Sequence, residues 1–163
     1  MRAVDDPESR VSLLNQPETC AGCHAEHAVM GQEGRQGLNE NTVFNYEHSV
    51  HGLAREGEHD RDPAVCSDCH NGHMVMCACE ADASTNPFHI NETCGQCHAE
   101  VVAEYTEGVH WQAFRQGRTL APTCTACHGI HTIKHVPGPE ASEAEARLVR
   151  STCIACHGSE ALM

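Results

Sequence analysis

Large apolar side chains are what this sequence has least of. Its 163 residues include one Trp, two Tyr and three Phe, so aromatics make up only 4 % of the chain. Without bulky side chains to bury, such a chain cannot offset its ordering entropy from its own surface alone. That excludes a globule packed from protein only. No stretch approaches the roughly 20 consecutive apolar residues of a membrane span. Met1 to Thr19 is polar and has no apolar h-region of a secretory leader. Cations are scarce as well, with 10 Lys and Arg against 23 Asp and Glu and a formal net charge of −13. That balance argues against nucleic acid as a partner.

Two residue types are in excess, with 12 Cys and 14 His. Ten of the cysteines fall in five pentapeptides of one spelling: Cys20-Ala21-Gly22-Cys23-His24, Cys66-Ser67-Asp68-Cys69-His70, Cys94-Gly95-Gln96-Cys97-His98, Cys124-Thr125-Ala126-Cys127-His128 and Cys153-Ile154-Ala155-Cys156-His157. At this Cys and His content, about a tenth of one such copy is expected by chance. A disulfide framework or C-x-x-C zinc sites would leave the five trailing histidines unexplained. C-x-x-C-H is the attachment signature of c-type haem. The two thiols add across the porphyrin vinyls, and the adjacent imidazole reaches the iron from the same turn. Five haem c groups are therefore expected, held by Cys20, Cys23, Cys66, Cys69, Cys94, Cys97, Cys124, Cys127, Cys153 and Cys156. His24, His70, His98, His128 and His157 would be the proximal iron ligands. The porphyrins would supply the apolar bulk that the side chains lack, and their propionates would add to the acidity.

Along the rest of the chain, Met1 to Gln16 reads as a frayed tail or a docking arm, and 28–41 as a Gly-rich loop. A helix is expected from Thr42 to Glu56, ending near Gly57. Met74 to Pro87 is an irregular insertion holding Cys77 and Cys79. A disulfide across two residues would be badly strained, so these are expected as free thiols or paired with another chain. Val101, Val102, Tyr105, Val109, Ala113 and Phe114 trace the apolar stripe of a helix that ends at Gly117. Val136-Pro137-Gly138-Pro139 reads as a turn, and Ser142-x-x-Glu145 as a capping box opening the helix that leads to the fifth motif. The fold class expected is mainly irregular with short α-helices, little or no sheet, wrapped around closely packed haems.

The chain also repeats itself at an offset of 58 to 59 residues. Tyr46-x-x-x-Val50-His51 matches Tyr105-x-x-x-Val109-His110. Cys66-x-x-Cys69-His70-x-x-His73 matches Cys124-x-x-Cys127-His128-x-x-His131. One domain, 1–163, thus holds two rounds, about 18–92 and 93–151, and the opening of a third at 152–163. On these motifs the chain resembles the multihaem c-type cytochromes, and the resemblance covers about residues 18 to 158. It implies a multihaem cytochrome c fold, bis-histidine iron, closely spaced haems and electron transport. Some relatives form extracellular conductive filaments and others are periplasmic shuttles.

Nine histidines remain for the distal side of the irons: His27, His48, His51, His59, His73, His89, His110, His131 and His135. The repeat singles out His51, His73, His110 and His131. The Val-His residues are expected on the haem just before their own helix, so His51 on the first and His110 on the third. A His three beyond a proximal His faces away from that iron and should serve a neighbouring haem. No third Val-His helix follows Cys153; His27 is favoured for that haem because it repeats the C-x-x-C-H-x-x-H spelling, with His48, His59, His89 and His135 as other candidates. The missing half-round is also what a head-to-tail assembly would show, with another subunit donating the ligand. Met74 and Met76 are thioether donors that a surplus of imidazoles makes unnecessary.

With all irons bis-histidine, the chain is expected to carry electrons and to be no enzyme. Extracellular conduction as a homopolymeric filament (nanowire) is the leading form, and a soluble periplasmic shuttle the alternative. A multihaem oxidoreductase with one open haem is the rival of another class. Redox proteins or extracellular acceptors are the partners expected. C-type haem is attached outside the cytoplasm, so the location expected is extracytoplasmic, with a leader already removed.

Overall fold

In the computed structural model, residues 6–24, 42–56, 63–137 and 140–158 are described. Among these residues all regular structure is helical, without a strand. The helices, in chain order, are α1 (Gln16–His24), α2 (Thr42–Glu47), α3 (Val50–Glu56), α4 (Cys66–His70), α5 (Ile90–Gly95), α6 (Ala99–Glu107), α7 (Val109–Arg115), α8 (Cys124–His128) and α9 (Glu143–His157). None of the described helices is long and apolar enough to cross a membrane. The expected loop at 28–41, the helix end at Gly57 and part of the turn at Val136 to Pro139 lie outside the described residues.

The buried apolar core is small, comprising Val43, Val65, Ala83, Ile90 and Phe114 among the described residues. Hydrogen bonds do much of the work that apolar contact does elsewhere. Residues from Asp6 onward dock on their own chain and are not frayed. The Asn15 amide donates to the Pro7 and Ser9 carbonyls, Thr19 Oγ1 donates to Arg10, and the Arg55 guanidinium donates to the Leu14 carbonyl at 2.6 Å. Gln16 then binds both the backbone N–H and the hydroxyl of Ser67, which joins α1 to α4.

Both helices expected to be continuous are broken, and at equivalent places. The first splits at His48-Ser49. Ser49 is buried, and its hydroxyl accepts the Gly52 N–H at 3.1 Å, capping α3 in the manner of an N-cap serine. Gly52 has no Cβ, which lets α3 start against the Tyr46 and Glu47 backbone, where any side chain would collide. The second splits at Gly108, whose extended backbone (φ −75°, ψ 159°) separates α6 from α7.

The paired tyrosines explain why the repeat keeps them. Tyr46 donates its phenolic hydrogen to the Ala64 carbonyl at 2.9 Å, and Tyr105 donates to Pro122 at 2.7 Å. Each carbonyl lies two residues before the next motif cysteine, so each tyrosine holds the approach to a C-x-x-C-H turn. That turn ends on a left-handed residue in both rounds, Asn71 (φ 62°) and Gly129 (φ 87°). The two rounds are tied by the Val50 N–H, which donates to the Ile133 carbonyl at 2.9 Å. At the C-terminal end the capping box forms as expected: the Ser142 N–H donates to Glu145 Oε2 at 2.9 Å, and Ser142 Oγ accepts the Glu145 N–H. The helix it opens continues through the fifth motif without interruption.

Burial raises the hydroxyls of both Tyr46 and Tyr105 to about 12, so they remain donors well into the alkaline range. A phenol whose folded pKa lies above its unfolded one stabilises fully below the unfolded value and stops doing so as pH climbs through the folded one. Tyr46→Phe should therefore cost about 1 kcal/mol at neutral pH. In chemical denaturation the gap between wild type and variant should shrink as pH rises from 10 toward 12. A pH-independent gap would exclude the phenol as the donor.

Candidate haem sites

A C-x-x-C-H unit wound into one helical turn places its two cysteines, three residues apart, on one face. The second, third and fourth motifs begin or sit on such short helices, α4, α5 and α8, while the first and fifth close the longer α1 and α9. All ten motif thiols are free of disulfides. Cys77 and Cys79 are instead joined to each other, correcting the expectation of free or intermolecular thiols. The turn in which the Glu80 N–H donates to the Cys77 carbonyl folds them together, with Cα atoms 5.2 Å apart, inside the usual disulfide range.

Three motif histidines each face a second imidazole. The ring centres of His51 and His98 are 6.1 Å apart, those of His70 and His131 5.9 Å, and those of His110 and His157 6.0 Å. An imidazole nitrogen binds a transition metal at about 2 Å. Two such bonds in line, plus about 1.1 Å from each nitrogen to its ring centre, put the rings about 6 Å apart. Each pair therefore has the separation of two axial ligands on one metal.

The pairs differ from the expectation in one respect. His51 was expected beside the first motif and lies against the third, and His110 was expected beside the third and lies against the fifth. His131, which trails the fourth motif and was expected on a neighbouring haem, lies against the second motif. Among the described residues, the rings of His24 and His128 have no such partner, and His73 is exposed with no imidazole against it. His27 and His59 lie outside the described residues. His48 donates from Nδ1 to the Phe44 carbonyl at 2.8 Å, and His89 lies 3.5 Å from Glu92.

At three of these rings the surroundings favour the neutral form, which a ligand needs. Burial, and then the neighbouring His98, lowers the pKa of His51. Burial, and then His24, lowers that of His70, while His131 is lowered by burial, His70 and His24. His128 is oriented from behind: its Nδ1–H donates to the Lys134 carbonyl at 3.0 Å, leaving Nε2 as the donor atom. Thiols of successive motifs also meet. Cys66 is pushed up to about 12 by burial and then by adjacent Cys20. A hydrogen bond between Cys94 and Cys124 raises the second and lowers the first.

These residues fit haem. The Nδ1 of His70 is buried and has no hydrogen-bond partner among the described residues, a cost that would be met if that nitrogen were spent on a metal. Large apolar side chains stand exposed beside the motifs, among them Val50, Val101, Val109 (75 %) and Ile154 (55 %). They offer the surface that a porphyrin face can cover.

No protein-family model and no solved structure matches the chain. Among curated proteins it is similar to the multiheme cytochrome MtrA of Shewanella baltica (strain OS185), at 33 % identity over 93 residues. The match takes in 53 % of this chain but only 26 % of that protein's length. The likeness and the five motifs point the same way, to a multihaem cytochrome.

If every motif is loaded, the intact protein will carry five covalent haems, measured by mass spectrometry and by haemochrome absorbance per chain. Replacing Cys153 and Cys156 together by Ala should remove one haem and leave the rest; a loss of none would rule out the fifth site.

Proposed function

We propose that this chain is an electron carrier whose haem sites are wired across the fold by histidines from distant parts of the sequence. Bound at the motifs, haem supplies reversible one-electron exchange at its iron. The protein's part is to hold and close those irons. His24, His70, His98, His128 and His157 are the proximal ligands. His131 is the distal ligand at the Cys66 site, His51 at the Cys94 site and His110 at the Cys153 site. The observation that carries this reading is the recurrence of a separation near 6 Å in three independent imidazole pairs. His27 and His73 are the trailing histidines proposed for the two remaining sites, those at Cys20 and Cys124, each serving a haem other than the one it follows.

The order of the sites follows the sequence. Helices α1 and α4 pack together, as do α4 and α5, and α5 and α8, so the first four motifs touch in succession. Cys127 lies within electrostatic reach of Cys153 and Cys156, which brings the fifth next to the fourth. With both axial positions filled by imidazole, a site has no place for substrate, which favours a carrier over a multihaem oxidoreductase. The filament form of this reading drew on a Cys153 haem lacking a ligand in its own chain. His110 facing His157 meets that need, so we favour a discrete shuttle outside the cytoplasm over a homopolymeric nanowire.

His110→Ala should convert one haem, that at Cys153, to high spin, read as a new ferric band near the red end of the visible spectrum and by electron paramagnetic resonance. Removing the fifth haem as well, through the Cys153 and Cys156 substitutions, should abolish that signal. A high-spin signal that survives would move His110 to another site. A high-spin haem in the wild-type protein would favour the oxidoreductase, and fibres in electron micrographs the filament.

A further inference from the structure

Met74, Met76 and residues on and beside α5 line an open cavity of about 280 Å³ that borders the third motif at Gln96 and the second at Asn71, but is lined by no motif cysteine or histidine. Met74, Met76 and His89 all line it, and apart from the two methionines every lining side chain is polar. A porphyrin face needs apolar walls, so this lining does not suit one. Two thioether sulfurs and an imidazole opening on one polar space do suit a small, soft cation. His89 is posed for such a role: Glu92 Oε2 lies 3.5 Å from its Nδ1, which leaves Nε2 facing away from the carboxylate. A carboxylate behind a ring nitrogen is the arrangement that orients metal-binding histidines. Asp82 and Glu92, both on the cavity wall, add negative charge that favours a cation.

We propose that Met74, Met76 and His89 form a copper(I) site separate from the haem sites. Thioethers are soft, weakly basic donors that select Cu(I). Magnesium and calcium take shells of oxygen ligands, and zinc prefers thiolate, imidazole or carboxylate. Thiolates are kept out of the donor set because Cys77 and Cys79 are bonded to each other. The site is thus a neutral thioether–imidazole one, with its negative charge confined to the surrounding carboxylates.

The test uses the haem-loaded protein, incubated with copper and excess ascorbate under nitrogen, then desalted against a Cu(I) chelator. Copper and iron are counted by elemental mass spectrometry. Wild type and a Cys77→Ser, Cys79→Ser variant should each retain about one copper per chain. Met74→Leu with Met76→Leu, and separately His89→Gln, should retain at least about tenfold less, with the haem absorption spectrum unchanged as evidence of an intact fold. Three results would overturn the proposal: no copper held by wild type, copper held equally by the methionine variant, or loss of copper in the cysteine variant. A high-spin haem in His89→Gln would also overturn it, by putting that ring on an iron.

Discussion

Facing imidazoles are the constraint on which the rest of this structure depends. In a chain with five buried large or small apolar residues among those described, ordinary packing leaves little to position one segment against another. The three histidine pairs join points 47, 61 and 47 residues apart. Everything local serves those meetings: the broken helices aim the Val-His residues, the tyrosines fix the approach to the motifs, and the left-handed residues Asn71 and Gly129 turn the chain out of the motif so that a trailing histidine can leave for another site.

Much of this was legible in the residues. The five motifs, the two rounds, the capping box at Ser142 and the helical class all follow from spacing and composition, because each is a local rule with a short reach. The destination of the Val-His residues is a different kind of fact. Proximity in sequence favoured the haem before each helix, yet beyond the helix breaks at Ser49 and Gly108 the two rings lie against the third and fifth motifs. A signal was present: His51 to His98 and His110 to His157 have the same 47-residue spacing, whereas the reading by proximity left the last motif unprovided. Breaks at a serine and a glycine, each inside a good helical pattern, are tertiary effects that propensity does not report. The pairing of Cys77 with Cys79 is another, since it depends on a turn rather than on the number of intervening residues.

The polar interior has an electrostatic side. Among the facing imidazoles, His51, His70 and His131 are half-buried and held below the usual histidine range, and the carbonyl behind His128 fixes which nitrogen is presented. An acidic chain would ordinarily draw protons toward its histidines. Burial opposes that pull at these three rings, so the same net charge can govern encounters with partners without disturbing their donor atoms.

The backbone bond from Val50 to Ile133 makes the two rounds of the repeat unequal to two copies of one module. In stacked repeats each unit leans on its neighbour through similar interfaces, and a unit can be removed with the remainder intact. Here the first round reaches past its neighbour's opening motif to grip the loop behind the closing one, while that loop's His131 reaches back to the first round. The halves are laced rather than stacked. Each half thus depends on the other for a contact it does not make alone, and neither is a smaller version of the whole.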